Sequence, residues 1–403
     1  MLNLEFIVVA AGILGFGLVS RRLTGSPITP PMVFVAFGYL ISERGLGFVP
    51  FDYEEGLIHT LAEITLVVVL FTDASRIDLR RLEMERAIPI RLLAIGMPLT
   101  IAAGALVAWW LLDLHFWEAA LLAAVLAPTD AALGQAVVTS PRVPERLRQS
   151  LNVESGLNDG IALPLVLMLL SIACASAEVH TVEYWVRFAL LQVTLGPLVG
   201  IAVGWLGGRL VDRATETGWM DPSFHRLSGL GLALLAFAGA ELVHGNGFIA
   251  AFCAGAALGN STRSLCQIEE FSETESQLLT LLVFLVFGGA LVPETLPHLS
   301  PTTLLYGLLS LTLIRLVPVL LALLGVGLGN KEKLFLGWFG PRGIASILFA
   351  LLIIEGVAQG EHDHLIHIVT CTVLLSILAH GLTAGPMAKT FPESSEERPE
   401  PLG

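Results

Sequence analysis

Charge is what this sequence has least of. Asp, Glu, Lys and Arg make up 14% of the 403 residues, hydrophobic residues make up 54%, and the mean hydropathy is +0.76, whereas soluble domains carry roughly 25% charged residues. A chain so poor in charge cannot face water over its whole surface, and the composition predicts a polytopic membrane protein. Cysteine is also sparse. Cys174, Cys253, Cys266 and Cys371 lie in or beside apolar segments without CxxC spacing, which suggests neither a disulfide framework nor a zinc site. No basic cluster precedes the first apolar run; MLNLEFIVVAAGILGFGLVSRR carries its arginines after it, as a first span does and a cleaved signal peptide does not. A basic surplus is missing too. The net charge is -13, with the acids spread over short loops and the tail SSEERPE, which speaks against nucleic acid as a partner. Nothing in the sequence calls for a cofactor.

What is present is a series of apolar windows. Scanning at the length of a membrane crossing predicts about thirteen spans, near 3–20, 28–42, 57–75, 88–112, 117–138, 152–174, 185–208, 226–244, 247–260, 278–292, 302–328, 334–356 and 364–388. The expected class is therefore an all-α membrane protein. Alternate loops hold Arg21 and Arg22, Arg76 to Arg86, Arg142 to Arg148, Arg209 and Arg213, Arg263, Lys331 and Lys333, while the opposite set holds Arg44 and little else. By the positive-inside rule the N-terminus is expected outside and the C-terminus in the cytoplasm, in a cell (inner) membrane. The short acidic tail from about 389 to 403 reads as disordered.

Two of these spans are broken beside a charge. The fifth carries APTDAALG, with Pro128, Thr129 and Asp130; the twelfth carries FGPRGIAS, with Pro341 and Arg342. Proline and glycine free backbone groups that lipid cannot satisfy, so such breaks persist only against protein or a water-filled site. Lying seven spans apart, the two cross in opposite directions, which predicts inverted repeats with two broken helices crossing at a site. LVVVLF in span three and LLVFLVF in span ten are a weaker echo of the repeat.

The sixth span opens with LNVESGLNDGIALPL. At helical spacing Ser155 and Asp159 share one face, and Glu154 and Asn158 form the neighbouring stripe. Asp159, Ser155 and the freed backbone near Thr129 would give the all-oxygen surroundings that a monovalent cation needs. Glu154 is assigned to Arg342, a permanent positive charge inside span twelve, as an internal ion pair.

APTD, ESGLNDG and GPRG in these three spans resemble the monovalent cation:proton antiporters, specifically the prokaryotic sodium/proton exchanger branch with an Asn-Asp motif. The resemblance covers nearly the whole chain. It implies a homodimer in which 88–174 (spans 4–6) and 301–388 (spans 11–13) form a transport bundle, beside interface helices from 1–87 (spans 1–3) and 175–300 (spans 7–10). It also implies that Asp159 binds the ion and the proton, that Asp130, Thr129 and Ser155 help to form the monovalent cation site, that Asn158 is the neutral partner, and that Glu154 is bridged to Arg342. Asp73 stands where some relatives use a glutamate. The expected function is secondary antiport of Na+ or Li+ against H+, one for one, and not an enzymatic reaction.

The same residues admit rival readings. K+/H+ exchange by the same fold uses the same ligand types; an intramembrane aspartic protease would use Asp130 and Asp159 as its pair; a channel would need a continuous pore with rings of like groups. Thr129-Asp130 after Pro128 is also an ordinary helix-capping signal. Gly196, Gly200, Gly204 and Gly208 form a four-residue ridge suited to close helix packing, within the protomer or at a dimer seam. HDHLIH at 362–367 reads as surface histidine rather than a metal site. Glu241, His244 and Arg315 lie in or near spans without identifiable partners.

Overall fold

The computed structural model describes residues 2–23, 26–51, 56–77, 86–173, 182–262, 265–356 and 363–391. The tail beyond 391, Arg80, Arg81, Arg263, His180 and His362 lie outside the described residues. Among the described residues, fourteen helices carry the architecture. They are α1 (Leu2–Leu23), α2 (Pro30–Ile41), α3 (Gly56–Ser75), α4 (Ala87–Leu111), α5 (Phe116–Val125), α6 (Glu145–Ala173), α7 (Val182–Glu216), α8 (Pro222–Leu242), α9 (Gly247–Ser261), α10 (Leu265–Val286), α11 (Pro301–Ala322), α12 (Asn330–Trp338), α13 (Ile344–Gly356) and α14 (Asp363–Ala388). The only β pairing among the described residues is one isolated bridge, Ser42 to Val49.

The expected spans fall on these elements, with the fifth running from α5 across the break at Pro128 and the twelfth divided between α12 and α13; among the described residues eight helices are long and apolar enough to cross a membrane by length and composition. Five more are apolar but shorter. Two helices widen for one π turn, at Leu92–Gly96 in α4 and Phe287–Leu291 after α10, each followed within two residues by a proline, Pro98 or Pro293. A proline withholds the N–H that an α turn requires, and a π turn absorbs the resulting mismatch.

Glycine sets the closest approaches. A Cβ on Gly200 or Gly204 of α7 would overlap the carbonyl oxygens of Ala250 or Ala254 in α9, so these helices meet backbone to backbone. The ridge seen in the sequence is thus used inside the protomer. The other side of α9 repeats the device: Gly255 and Gly259 lie under the carbonyls of Phe71 and Ser75 in α3. A third face of α9 presents Phe252 and Ile249 to Gly156 and Gly160 of α6, the helix that carries Asp159. Helix α9 is the wall on which α3, α6 and α7 converge.

The turn into α9 accounts for two residues without partners in the sequence reading. Gly245 N donates to Ala240 O at 2.8 Å and His244 N to Glu241 O at 3.0 Å, closing α8 with His244 in the left-handed conformation at φ 60°. The Glu241 carboxylate then accepts from Gly247 N in the first turn of α9 at 2.9 Å, where the helix dipole favours a negative charge.

Candidate functional site

Helix α5 stops because Pro128 cannot donate and biases Ala127 away from the helical region; α12 stops ahead of Pro341 for the same reason. Each break leaves an extended segment inside the protein, and the two segments bind each other. Asp130 N donates to Pro341 O at 2.8 Å. Asp130 Oδ2 accepts from Ile344 N at 2.8 Å, which caps the N-terminus of α13. In return Arg342 Nη1 donates to the carbonyls of Ala127 at 2.7 Å and Pro128 at 3.2 Å, and Ser346 Oγ donates to Val125 O at 2.9 Å. The freed donors of one break and the freed acceptors of the other are thereby satisfied by side chains from the opposite half. Gly343 makes room for this, since a Cβ there would overlap the Asp130 carboxylate.

Helix α6 lies against this crossing. Ser155 Oγ donates to Thr129 O at 2.7 Å and Asn158 Nδ2 to Thr129 Oγ1 at 2.8 Å, so Thr129 is held by two α6 side chains. Asp159 is 2% exposed, its Oδ1 has no hydrogen-bond donor, and the Asp130 carboxylate acts on it through space. A carboxylate removed from water without donors is costly in its bare form and is neutralised by a proton or by a bound cation. Thr129, Ser155 and Asn158 are joined by these bonds, Asp130 follows Thr129 in the chain, and Asp159 lies one helical turn beyond Ser155 within the field of Asp130.

The expected ion pair is not. Glu154 Oε1 meets Arg315 Nη1 of α11 at 2.6 Å, with both side chains about 2% exposed, so Arg315 and not Arg342 is its salt-bridge partner. The reason lies in the crossing: the guanidinium of Arg342 is drawn to the carbonyls freed at the end of α5, and Arg315 reaches α6 over Gly340, where no side chain intervenes. Two further residues escaped the sequence reading. His380 Nε2 contacts Trp338 O at 2.9 Å, at the end of α12, and its Nδ1 lies 3.1 Å from Ser376 Oγ, which accepts from Arg342 N at 2.7 Å. Ser376 and His380, polar and four apart within the apolar run LLSILAHGL of α14, were the available signal.

Asp73 is not in this cluster. It lines a cavity of about 420 Å3 together with Arg76, Glu145, Arg148, Asn152 and Thr139. A much smaller cleft of about 10 Å3 lies deeper, against Thr129, Asp130, Ser155, Phe339 and Pro341, and Val138 lines both spaces. The cleft is of the order of one water molecule in size. Asn152, Ser155 and Asp159 follow one another along one face of α6, from the large cavity to the buried carboxylate. Among the described residues no group of three or more His, Cys, Asp or Glu could hold a metal.

Two discontinuous helices, crossing within hydrogen-bonding reach at a buried charged centre, define a class of inverted-repeat helical membrane proteins. The chain belongs to the transmembrane sodium/hydrogen exchanger family, whose model matches residues 7–390. It is 29% identical over 376 residues to the K(+)/H(+) antiporter NhaP of Alkalimonas amylolytica, covering 92% of this chain and 63% of that protein. It is 27% identical to the K(+)/H(+) antiporter NhaP2 of Shewanella sp. (strain ANA-3), covering 95% of this chain and 65% of that one. The chain thus spans somewhat less than two thirds of the length of these relatives. Its fold matches the sodium proton antiporter MjNhaP1 from Methanocaldococcus jannaschii at pH 8 with a TM-score of 0.79 and 21% identity, over 97% of this chain and 99% of the other.

Proposed function

We propose that the chain is a secondary antiporter that exchanges Na+ or Li+ for H+, one for one, by alternating access, with Asp159 taking either the cation or the proton. The observation that carries this is the balance of buried charge. Five charged side chains are buried among the described residues: Arg315 and Arg342 are positive, Glu154, Asp130 and Asp159 negative. One negative charge is left over. A single monovalent cation or a single proton cancels it. Asp159 Oδ1 and Glu154 Oε2 are the buried carboxylate oxygens without a donor, and Glu154 already has Arg315 on its other oxygen, which leaves Asp159, on the α6 face of Ser155, as the group to be neutralised. The loaded centre then carries the same charge in both directions, so transport is indifferent to voltage.

In this reading Asp130, Thr129 and Ser155 complete the ion's oxygen shell, Asn158 holds Thr129, and the Glu154–Arg315 pair braces α6 against α11. Asp73 acts earlier, on the wall of the cavity through which the ion approaches from the side of Arg76 and Arg148, taken as cytoplasmic by the positive-inside rule. Helices α4 to α6 and α11 to α14 move as the transport bundle against the remaining helices, whose open apolar faces on α1 and α7 meet lipid and, in a homodimer, a second copy.

K+ in place of Na+ is the second reading, favoured by the names of the two relatives. Proton efflux from proteoliposomes titrated with lithium, sodium and potassium separates them. The same vesicles clamped with potassium and valinomycin, driven by sodium, test the stoichiometry. Initial rates are expected to be constant across imposed potentials, because a net charge would couple at about 2.3 kcal/mol per 100 mV; a voltage-dependent rate overturns the one-for-one scheme.

A further inference from the structure

Pro164 lies inside α6, four residues after Gly160. In an unbroken helix the N–H of residue 164 donates to the carbonyl of residue 160, and proline has none to give. That carbonyl immediately follows Asp159, in a buried stretch where water is not at hand. Its donor comes from another helix: Asn246 Nδ2 bonds Gly160 O at 3.1 Å.

Asn246 is fully buried and every arm of its side chain is engaged. Its Nδ2 also donates to Gln192 Oε1 of α7 at 3.0 Å, and its Oδ1 accepts from Ile249 N at 2.9 Å as the N-cap of α9. The loop that aims it is itself fixed, by the left-handed His244 and by Gln192 Nε2 reaching Gly245 O at 3.4 Å. A non-glycine residue in that conformation persists only where its surroundings over-determine it. Gly160 presents no side chain at the contact; a Cβ there would overlap Ile249 and stand 3.2 Å from Asn246 Oδ1.

We propose that Asn246 is a positioning residue for the ion site: its carboxamide supplies the backbone donor that Pro164 withholds and so fixes the turn of α6 that aims Asp159. The role rests on Asp159 as the carrier. It does not rest on contact between Asn246 and the ion, since Asn246 reaches α6 through the backbone of Gly160.

The test is a rescue. Asn246→Ala removes the donor, and Pro164→Ala in the same chain restores an intrahelical one. In proteoliposomes Asn246→Ala is expected to raise the KM for sodium about tenfold, the lower end of what outer partners of ion ligands contribute, and to shift the pH of half-maximal exchange. Pro164→Ala added to it is expected to return both, and the melting temperature, toward the parent values. Asn246→Ser, which keeps a capping oxygen for Ile249 on a shorter side chain, is expected to behave like the alanine variant and serves if that variant does not fold. A double mutant no better than the single in KM and pH profile overturns the proposal. So does a single mutant that loses melting temperature alone, since that is a purely structural role. The melting-temperature rescue reads the Gly160 bond whichever group carries the ion, whereas unaltered exchange by Asp159→Asn would refute the carrier assignment itself.

Discussion

The pairing of Glu154 with Arg315 gives the sharpest energetic test of the buried centre. Both side chains are about 2% exposed and meet at 2.6 Å, so deleting one leaves the other as an uncompensated charge in low dielectric, at about 3–5 kcal/mol. Arg342→Ala acts differently. It orphans the Ala127 and Pro128 carbonyls, at about 1–3 kcal/mol for each buried group left without a donor. The single mutants are therefore similar in size and do not by themselves identify the partner. The double-mutant cycle does. Groups in direct contact couple by about 0.5–3 kcal/mol, and the Glu154–Arg315 pair is expected at the upper end of that range. The Glu154–Arg342 cycle is expected to give a clearly smaller value, because those two share only the field of the site. Replacing the true pair by apolar residues of similar volume, as in Glu154→Leu with Arg315→Met, is expected to recover most of the loss or exceed it. Reversible unfolding in mixed micelles, followed by helix signal, measures all of these. A Glu154–Arg342 coupling as large as that of Glu154 with Arg315 would refute the assignment.

Asp159→Asn is expected to abolish cation-dependent proton flux while leaving a protein that elutes and melts like the parent; substantial residual exchange in vesicles is the contrary result. Asp130→Ala removes the cap on Ile344 and is expected to cost about 1 kcal/mol of stability, whereas Asp130→Asn keeps an oxygen for that bond and is expected to melt closer to the parent while still altering the cation dependence of exchange. Gly204→Leu drives a side chain into the Ala254 carbonyl of α9 and is expected to lower folded yield sharply; unchanged yield and melting temperature would mean that α7 and α9 do not pack there.

Prolines made the architecture legible. Pro128 and Pro341 announce breaks in spans that are otherwise apolar, and a break inside lipid demands a partner; each stands beside a charge, Asp130 or Arg342, and the two spans run in opposite directions. Asp159 and its neighbours were legible because ionised groups have so few reasons to lie within a span. The partner of Glu154 was not. Arg315 and Arg342 are chemically identical candidates, and what divides them is which guanidinium the freed carbonyls of α5 claim, a matter of three-dimensional approach over Gly340. The glycine ridge on α7 likewise declared a close contact without declaring the surface that fills it. Asn246 shows an intermediate case. The missing donor at Gly160 follows from Pro164 alone, yet nothing along the chain says that an N-cap on α9 supplies it.

The reciprocal satisfaction of the two breaks has a consequence for how the protein is made. Asp130 and Ile344, which close one end of the crossing, lie 214 residues apart in the chain. At about 5–20 residues per second of synthesis, the first half waits on the order of ten to forty seconds before its counterpart emerges. Throughout that interval Ala127, Pro128 and Asp130 are already at the depth of the membrane without the groups that later answer them. The nascent first repeat is therefore an incomplete solute for lipid, and its broken span is expected to stay at the insertion machinery or in a hydrated pocket until Arg342 and Ile344 arrive. Biogenesis should then show late, all-or-none burial of the crossing: in a truncation series, a cysteine placed at Thr129 is expected to remain open to a water-soluble thiol reagent in every chain that ends before Arg342, and to close in chains that extend through α14.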